Sequence, residues 1–332
     1  MSDFAQPTDR QPVPGALLTD LDLALVQRHI TIAKERGRYD GPAEPLEYLR
    51  LHHGVIDISG TLVPTVAGIL VFAPAPERFL SASGIDIAQF SGPSPRSTDL
   101  RFMEQVREPL FTAIDHAVQT LWVRSEHGYR IDGAQRIEEH AYPEIVLREL
   151  TVNALCHRDW GQEGSRVRIQ MLPRHIEWVS PGTLPSGVTI DNLRTAQVSR
   201  NRALAQLLFH AGYVEEFGIG LDTVFDTLRD ANHEPPWIQD DGHFFTFRVT
   251  GKIVVLATQP RPLPLNDRQA SILAIIEARG ALTISEIQAY IMNIPRVNPV
   301  TEFSFLCNRQ KHSAQSTILC QFTSAKYAPQ MR

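Results

Sequence analysis

Along this chain, stretches whose apolar residues recur every three or four positions alternate with stretches where they recur every second position. The two periods predict helices and strands respectively. The run LTDLDLALVQRHITIAKERG predicts a helix capped by Thr19 or Asp20 and ending near Gly37, and PLEYLRLHHGV predicts a shorter one behind it. TLVPTVAGILVFAPAPERFL combines a small-residue apolar helix with a proline-bounded exit, and GIDIAQFSG alternates as a strand. From about Asp99 to Trp122 the positions Phe102, Val106, Leu110, Ile114 and Val118 predict one long amphipathic helix, whose apolar stripe reads as core. YRIDGAQRIEEHAYP has the character of a hairpin. In YPEIVLRELTVNALCHRDW, the residues Ile145, Val146, Leu150, Val152, Leu155 and Cys156 fall at roughly helical spacing, with Pro143 where a helix can begin and Gly161 where it can stop. SRVRIQMLPRHIEWVS alternates on both sides of Pro173 and Arg174, as two antiparallel strands joined by a tight turn do. Asn201 to His210 predicts a helix, a further helix starts at about Ile219, and GHFFTFRVTGKIVVLA supplies the last strands.

The ends of the chain have a different texture. Residues 1–16 hold three prolines and few large apolar groups, and are expected to form a disordered tail. TQPRPLPLN is a proline-rich, semi-rigid linker that marks a domain boundary at 258–265. Beyond it, DRQASILAIIEARGALTISEIQAYI reads as two helices separated by Gly280 and a Thr-Ile-Ser entry, the first half of a winged helix-turn-helix. From about Met292 to Arg332 the helical periodicity and the glycine-turned wing that would complete it are missing.

Composition narrows the function classes. A chain of 332 residues with 43% hydrophobic and 21% charged residues has the balance of a globular protein with room for two or three domains. It contains no run of eighteen apolar residues, and the N-terminal MSDFAQPTDRQPVPG is polar, so neither a membrane span nor a signal peptide is predicted and a cytoplasmic location is expected. The three cysteines, Cys156, Cys307 and Cys320, are too scattered for a disulfide framework or a zinc site and read as plain thiols. A net charge of −5 argues against non-specific nucleic-acid binding by the whole molecule, but from Asn266 onward seven Lys and Arg face four Asp and Glu, a local +3, so contact with DNA is expected there.

Candidate chemistry centres on the helix after Pro143. Its polar residues Glu149, Asn153 and His157 follow at i, i+4 and i+8 and so stack along one stripe, either as a solvated face or as a row of groups suited to oxygen and metal chemistry. Two further pieces lie within seventy residues: the loop SPGTLPSG, which either brings backbone amides close to something or merely turns a corner, and EEFGIGL at 215–221. Binding a nucleoside triphosphate without a P-loop calls for such parts. Magnesium takes oxygen ligands such as an Asn amide. An attacking water needs a carboxylate base about one helical turn away. The phosphates need unobstructed backbone amides, which Gly218 and Gly220 at a helix start can offer. Each piece alone is weak, since a lone GxG is more often a turn.

The run RELTVNALCHRDW, then IEWVSPGTLPSGV, then SRNRALAQLLFHAGYVEEFGIGLDTV resembles the divergent GHKL-type ATP-binding domain of predicted bacterial and archaeal transcriptional regulators. Those proteins are often catalogued as RecG-like helicase C-terminal regions, with a Schlafen-type AlbA domain in front and a winged helix behind. TLVPTVAGILVFAPAPERFLSASGIDIAQFSG is similar to the segment that links those first two domains, and the resemblance spans roughly residues 17–290, so the chain is expected to start after the AlbA-type domain. It implies an α+β fold: a linking region at 17–130, a GHKL-like sandwich of a mixed sheet with helices on one face at 131–257, and a partial or divergent winged helix-turn-helix with its tail at 266–332. It further implies Glu149 as the carboxylate that polarises the attacking water and Asn153 as the magnesium ligand. His157 and Asp159 match the HRD of the family, in a supporting role. Ser180, Pro181 and Gly182 match the loop where the wider superfamily places an aspartate that reads the adenine amino group, and here a serine takes its place. Gly218 and Gly220 match the second glycine box behind Glu216, and Ser199, Arg200 and Asn201 lie on the intervening segment that can close over the nucleotide.

The function so implied is an ATP-binding regulator, with ATP and Mg as cofactors, switching the geometry of a domain or homodimer and contacting DNA through residues 266–332. Slow hydrolysis is compatible with it. A helicase-related ATPase is a competing reading, and it lacks the GxxxxGK[ST] phosphate loop, which occurs nowhere in the chain. A third reading is a non-catalytic scaffold whose nucleotide site has decayed, which the serine at 180 favours.

Overall fold

The structure is a computed structural model that describes residues 7–132, 135–196, 198–214 and 220–253. The chain divides into two compact units, Met1–Leu256 and Ala257–Arg332. All described residues belong to the first, so the linker and the winged helix expected at 258–332 lie outside them.

Seven helices and ten strands are described: α1 Leu23–Glu35, α2 Pro45–Leu51, β1 Val55–Ile58, β2 Thr61–Pro64, α3 Val66–Phe72, β3 Ile85–Phe90, β4 Leu100–Val106, α4 Leu110–Arg124, β5 His127–Asp132, β6 Gln135–His140, α5 Glu144–Cys156, β7 Val167–Met171, β8 His175–Pro181, α6 Arg202–Ala211, α7 Gly220–Asp230, β9 Trp237–Asp240 and β10 Phe244–Thr250. Six strands form one sheet in the order β4-β3-β7-β8-β10-β9. β3 and β7 run parallel and the other neighbours antiparallel, so the sheet is mixed, as the α+β expectation requires. Burial alternates along the strands: Ile85 and Ile87, Val167, Ile169 and Met171, Ile176 and Trp178, and Phe247 and Val249 are all buried, which identifies the face covered by helices. α4 and α5 lie against this sheet and against each other, and α7 packs on α5.

Two expectations need correction. The helix expected from Asp99 to Trp122 is a strand followed by a helix. Leu100–Val106 pairs with β3 as an edge strand, and α4 begins only at Leu110. Pro109 is the reason, because its ring disfavours helical backbone at Glu108 and it cannot donate to a preceding turn, whereas as the N-cap it is tolerated. The expected tail is also structured from residue 7 onward: Asp9, Val13 and Ala16 are buried and Pro12 bridges to Thr65. Smaller differences lie at the first helix, which is capped by Asp22 through Ala24 N and Leu25 N, and at the β1–β2 hairpin and β9, which the pattern did not single out.

The linking segment and the region after it are woven together. β3 and β4 share the sheet with β7–β10, so the sheet runs across the 130/131 boundary. α6 is held at both ends by groups from elsewhere. The Asp9 carboxylate accepts from Ala203 N at 2.7 Å and Leu204 N at 3.1 Å. At the other end Arg36 donates to Ala211 O, Arg38 to Phe209 O and Val214 O, and Arg148 to Gly212 O. Negative charge at the N-terminus and positive charge at the C-terminus is the arrangement that a helix dipole favours. Among the described residues no helix is long and apolar enough to cross a membrane.

Candidate functional site

α5 is buried on most of its circumference, with Val146, Leu147, Glu149, Leu150, Thr151, Val152, Ala154, Leu155 and Cys156 all inaccessible. Along its stripe Glu149 is buried and Asn153 half-buried, and only His157 at the C-cap is exposed. The stripe faces a cavity of about 560 Å³, within the size range of small-molecule and cofactor sites.

Five elements distant in sequence form this cavity. α5 contributes Glu149 and Asn153, with His157 at its C-cap, β8 and the loop behind it contribute Trp178, Ser180, Gly182 and Leu184, and α7 contributes Gly220 and Leu221. α6 closes it with Arg202, Ala205, Gln206 and Phe209, and β10 adds Phe245 and Phe247. Of the residues singled out in the sequence, Glu149, Asn153, His157, Ser180, Gly182 and Gly220 line this one space, as does Ser199 on the intervening segment. Glu216 and Gly218 lie outside the described residues.

Each placement has a local cause. Ser180 shares the phase of Ile176 and Trp178 along β8 and so points to the helices, where its hydroxyl donates to Ala154 O at 2.7 Å. One turn earlier on α5, Thr151 accepts from the Trp178 indole at 3.1 Å. Gly182 has φ +113°, and a Cβ there would stand 2.7 Å from Asp159 Cβ, so the loop needs glycine twice over. At Gly220 a Cβ would meet Glu149 Oε2 at 2.5 Å and lie 3.9 Å from Asn153 Nδ2, which shows how closely the start of α7 approaches the two stripe residues. Glu149 is 9% exposed, with Arg148 Nη1 at 3.5 Å from Oε1. Asn153 Nδ2 is buried without a hydrogen-bond partner. Cys156 is a buried free thiol, and burial pushes its pKa up to about 12, which makes it inert as a nucleophile.

Two candidates stand behind the wall instead. Asn201 is fully buried, and its Nδ2 donates to Cys156 O at 2.8 Å and Arg158 O at 2.7 Å, tying α6 to the end of α5. Asp159 does not line the cavity. Its amide donates to Pro181 O, Oδ1 accepts from Gly161 N, and Arg200 Nη1 stands 3.6 Å from Oδ2. Between them sits a residue that the sequence reading passed over. Arg158 is 1% exposed and donates to the carbonyls of Asp159, Gln162 and Ser165, with Trp160 stacked on its guanidinium. Arg158, in the middle of the HRD run, is thus a buried clamp on the loop after α5. An arginine next to a histidine and an aspartate gives no sign in sequence that it is interior, because its partners are backbone carbonyls. Gln206 and the two phenylalanines of β10 were also passed over, since each looks like ordinary helix or strand filling.

The residues present fit a magnesium nucleotide. Asn153 leaves an unpartnered buried amide atom toward the cavity, and a flip of that amide presents oxygen in place of nitrogen. Magnesium is commonly held by one or two protein oxygens together with phosphates and water, so a lone amide beside Glu149 suits it. Among the described residues no group of three or more His, Cys, Asp or Glu could hold a metal by itself.

Residues 164–249 match the family model described as the putative ATP-dependent DNA helicase recG C-terminal. The match runs from just before β7 almost to the end of β10 and starts after α5, so Ser180, Gly182, Asn201 and Gly220 fall within it and Glu149 and Asn153 do not. The crystal structure of the DIP2311 protein from Corynebacterium diphtheriae has a similar fold, with a TM-score of 0.58 and 22% identity over 85% of this chain and 56% of that one. No curated protein matches the chain. Residues 164–249 are thus similar to the ATPase-like recG C-terminal domain, and the mixed sheet with helices on one face and the cavity between them is the arrangement of a GHKL-like sandwich.

Proposed function

We propose that this protein binds ATP with Mg²⁺ in the cavity between α5, α6, α7 and the sheet, and that it is a nucleotide-dependent regulator acting on DNA. The observation that carries this reading is the convergence of Glu149, Asn153, His157, Ser180, Gly182 and Gly220, from three separate segments, on one space of nucleotide size. Ser180 suits the base end. Its proton is committed to Ala154 O, so its remaining lone pair can only accept, which matches the amino group of adenine and not the oxo group of guanine. Asn153 holds the metal, and bound magnesium supplies charge neutralisation for the phosphates. Glu149 accepts the proton of a water that attacks the terminal phosphorus as the bond to the leaving diphosphate breaks. The close seating of Gly220 on Glu149 couples that carboxylate to the position of α7, and through it nucleotide state alters domain or homodimer geometry. DNA contact falls to residues 266–332, where the charge is locally +3. A cytoplasmic location accords with that role.

Titration of the full chain with a fluorescent ATP analogue and Mg²⁺ tests the site. Saturable binding is expected, with loss of binding in Asn153→Ala and loss of hydrolysis but retained binding in Glu149→Ala. Unchanged binding in Asn153→Ala refutes the metal-ligand assignment, and an equal loss of binding and turnover in Glu149→Ala makes that residue structural. For DNA, a chain ending at Pro260 should lose salt-sensitive binding, measured by fluorescence anisotropy; retained binding places the contact in the first unit.

A further inference from the structure

One charged side chain on the cavity wall has no part in the reading above. Arg202, the first residue of α6, lines the cavity together with His157 and Ser199 and is exposed. Among the described residues it is the only Lys or Arg on that wall. Other guanidiniums on or beside α6 are committed elsewhere: Arg158 to three carbonyls, Arg200 to Thr183 O and the Asp159 carboxylate, and Arg36, Arg38 and Arg148 to the C-terminal end of α6. The α6 N-terminus offers little to an anion through its own amides, because Asp9 already accepts from Ala203 N and Leu204 N. Positive charge at this end of the cavity therefore has to come from a side chain.

The cavity lining also differs in its exposure. Trp178 and Ser180 are 1% and 5% exposed, whereas His157 and Arg202 are exposed. A ligand with an apolar ring and a charged tail fits with its ring against the buried residues of β8 and its tail toward the exposed Arg202 of α6. A magnesium-bound triphosphate still carries a net charge of about −2, and the only other charged group on the described wall is the carboxylate of Glu149. A charge-assisted bond from a guanidinium suits a phosphate tail, since its fork of donors matches phosphate oxygens.

We propose that Arg202 binds the polyphosphate of the nucleotide and sets the preference of the site for the triphosphate over shorter forms. This rests on the nucleotide reading above. Isothermal titration of the 332-residue chain with adenosine, AMP, Mg-ADP and Mg-ATP tests it, in the wild type, Arg202→Ala and Arg202→Lys, with thermal unfolding of each ligand-free protein as a check on folding. Wild-type affinity is expected to rise with phosphate number. Arg202→Ala should weaken Mg-ATP by roughly tenfold to a hundredfold, the range of a lost charged hydrogen bond. It should leave adenosine and the unfolding midpoint unchanged, and Arg202→Lys should recover part of the loss. Equal Mg-ATP affinity in Arg202→Ala and the wild type overturns the proposal, as does an equal loss for adenosine and Mg-ATP. Wild-type binding of adenosine with no gain from phosphates overturns the role of Arg202 but leaves a purine site standing. Absence of binding for all four ligands overturns the nucleotide reading itself, and this proposal with it.

Discussion

Asn153 and Asn201 are the same side chain in opposite circumstances. Asn153 faces the cavity with an amide nitrogen that has no hydrogen-bond partner, whereas Asn201 is fully buried and donates to the carbonyls of Cys156 and Arg158. Removing the second amide strands two carbonyls at the end of α5, so Asn201→Ala is expected to lower stability by about 2–4 kcal/mol. Asn153→Ala removes no hydrogen bond made by its Nδ2, and its cost should stay within about 1 kcal/mol while nucleotide binding is lost. Urea denaturation of both variants measures the difference. Similar stability losses at the two positions would show that Asn153 braces the fold rather than serving the cavity. Sequence placed Asn153 in the nucleotide site on its helical stripe and amide chemistry and Asn201 on motif position, and nothing in a one-dimensional pattern separates a donor that reaches backbone from one that reaches a void.

At the scale of an element, α6 does two jobs, and its two ends and two faces divide them. One face lines the cavity through Gln206, and the same residue donates from Nε2 to His210 Nε2 at 2.8 Å. His210 therefore carries its proton on Nδ1 and donates to the Tyr48 hydroxyl at 2.6 Å, which in turn donates to His29 Nε2 at 2.8 Å. The chain joins α6 to α2 and α1, with Tyr39 and His52 packed edge-on or tilted against the same rings. Burial keeps His29 and His210 neutral. Desolvation lowers His29 to about 3, helped by the nearby His210 and His52, and lowers His210 to about 4. Both imidazoles take up protons more readily unfolded, near pH 6.5, than folded. Their contribution to stability is thus complete above about pH 6.5 and is lost as the pH falls from there toward 4, by up to about 1.4 kcal/mol per pH unit for each. Chemical denaturation at a series of pH values should show this slope, and His210→Gln should reduce it. An unchanged slope in that variant would assign the acid sensitivity to other groups. The helix from Asn201 to His210 was legible in the sequence, but the part played by its histidine was not, because the tyrosine it meets lies 162 residues away.

For the whole molecule, the first described residues are part of the fold that carries the site. Asp9 reaches across 194 residues of sequence to cap α6, and its neighbours Val13 and Ala16 are buried. Asp9→Ala is expected to cost about 1–2 kcal/mol, the usual range for a lost N-cap, and Asp9→Asn to restore much of it, since an amide oxygen can accept the same two bonds. Thermal unfolding of the two variants checks this, and equal losses would mean that charge rather than acceptor geometry matters. The same long reach explains the misjudged tail. Its prolines and small residues are too few to make a core by themselves, and they become ordered only because α3 and α6 supply surfaces for them.

Local physics carried much of the outline. The periodicity around Ile145 to Cys156, the alternation on either side of Pro173, and the helices before and after Gly212 are all present, because each depends on neighbours three or four residues away or on a single turn. The stripe of Glu149 and Asn153 and the loop at Ser180 were visible for the same reason. Long-range packing had the last word elsewhere. The stretch Leu100–Val106 is a strand because β3 offers it a ladder, Arg158 in the HRD run is a clamp because it finds three carbonyls, and six motif residues share one cavity because α5, α7 and β8 meet. Such outcomes depend on which surfaces are brought together. That is a property of contacts between residues far apart in the chain, and the spacing of neighbouring residues does not encode it.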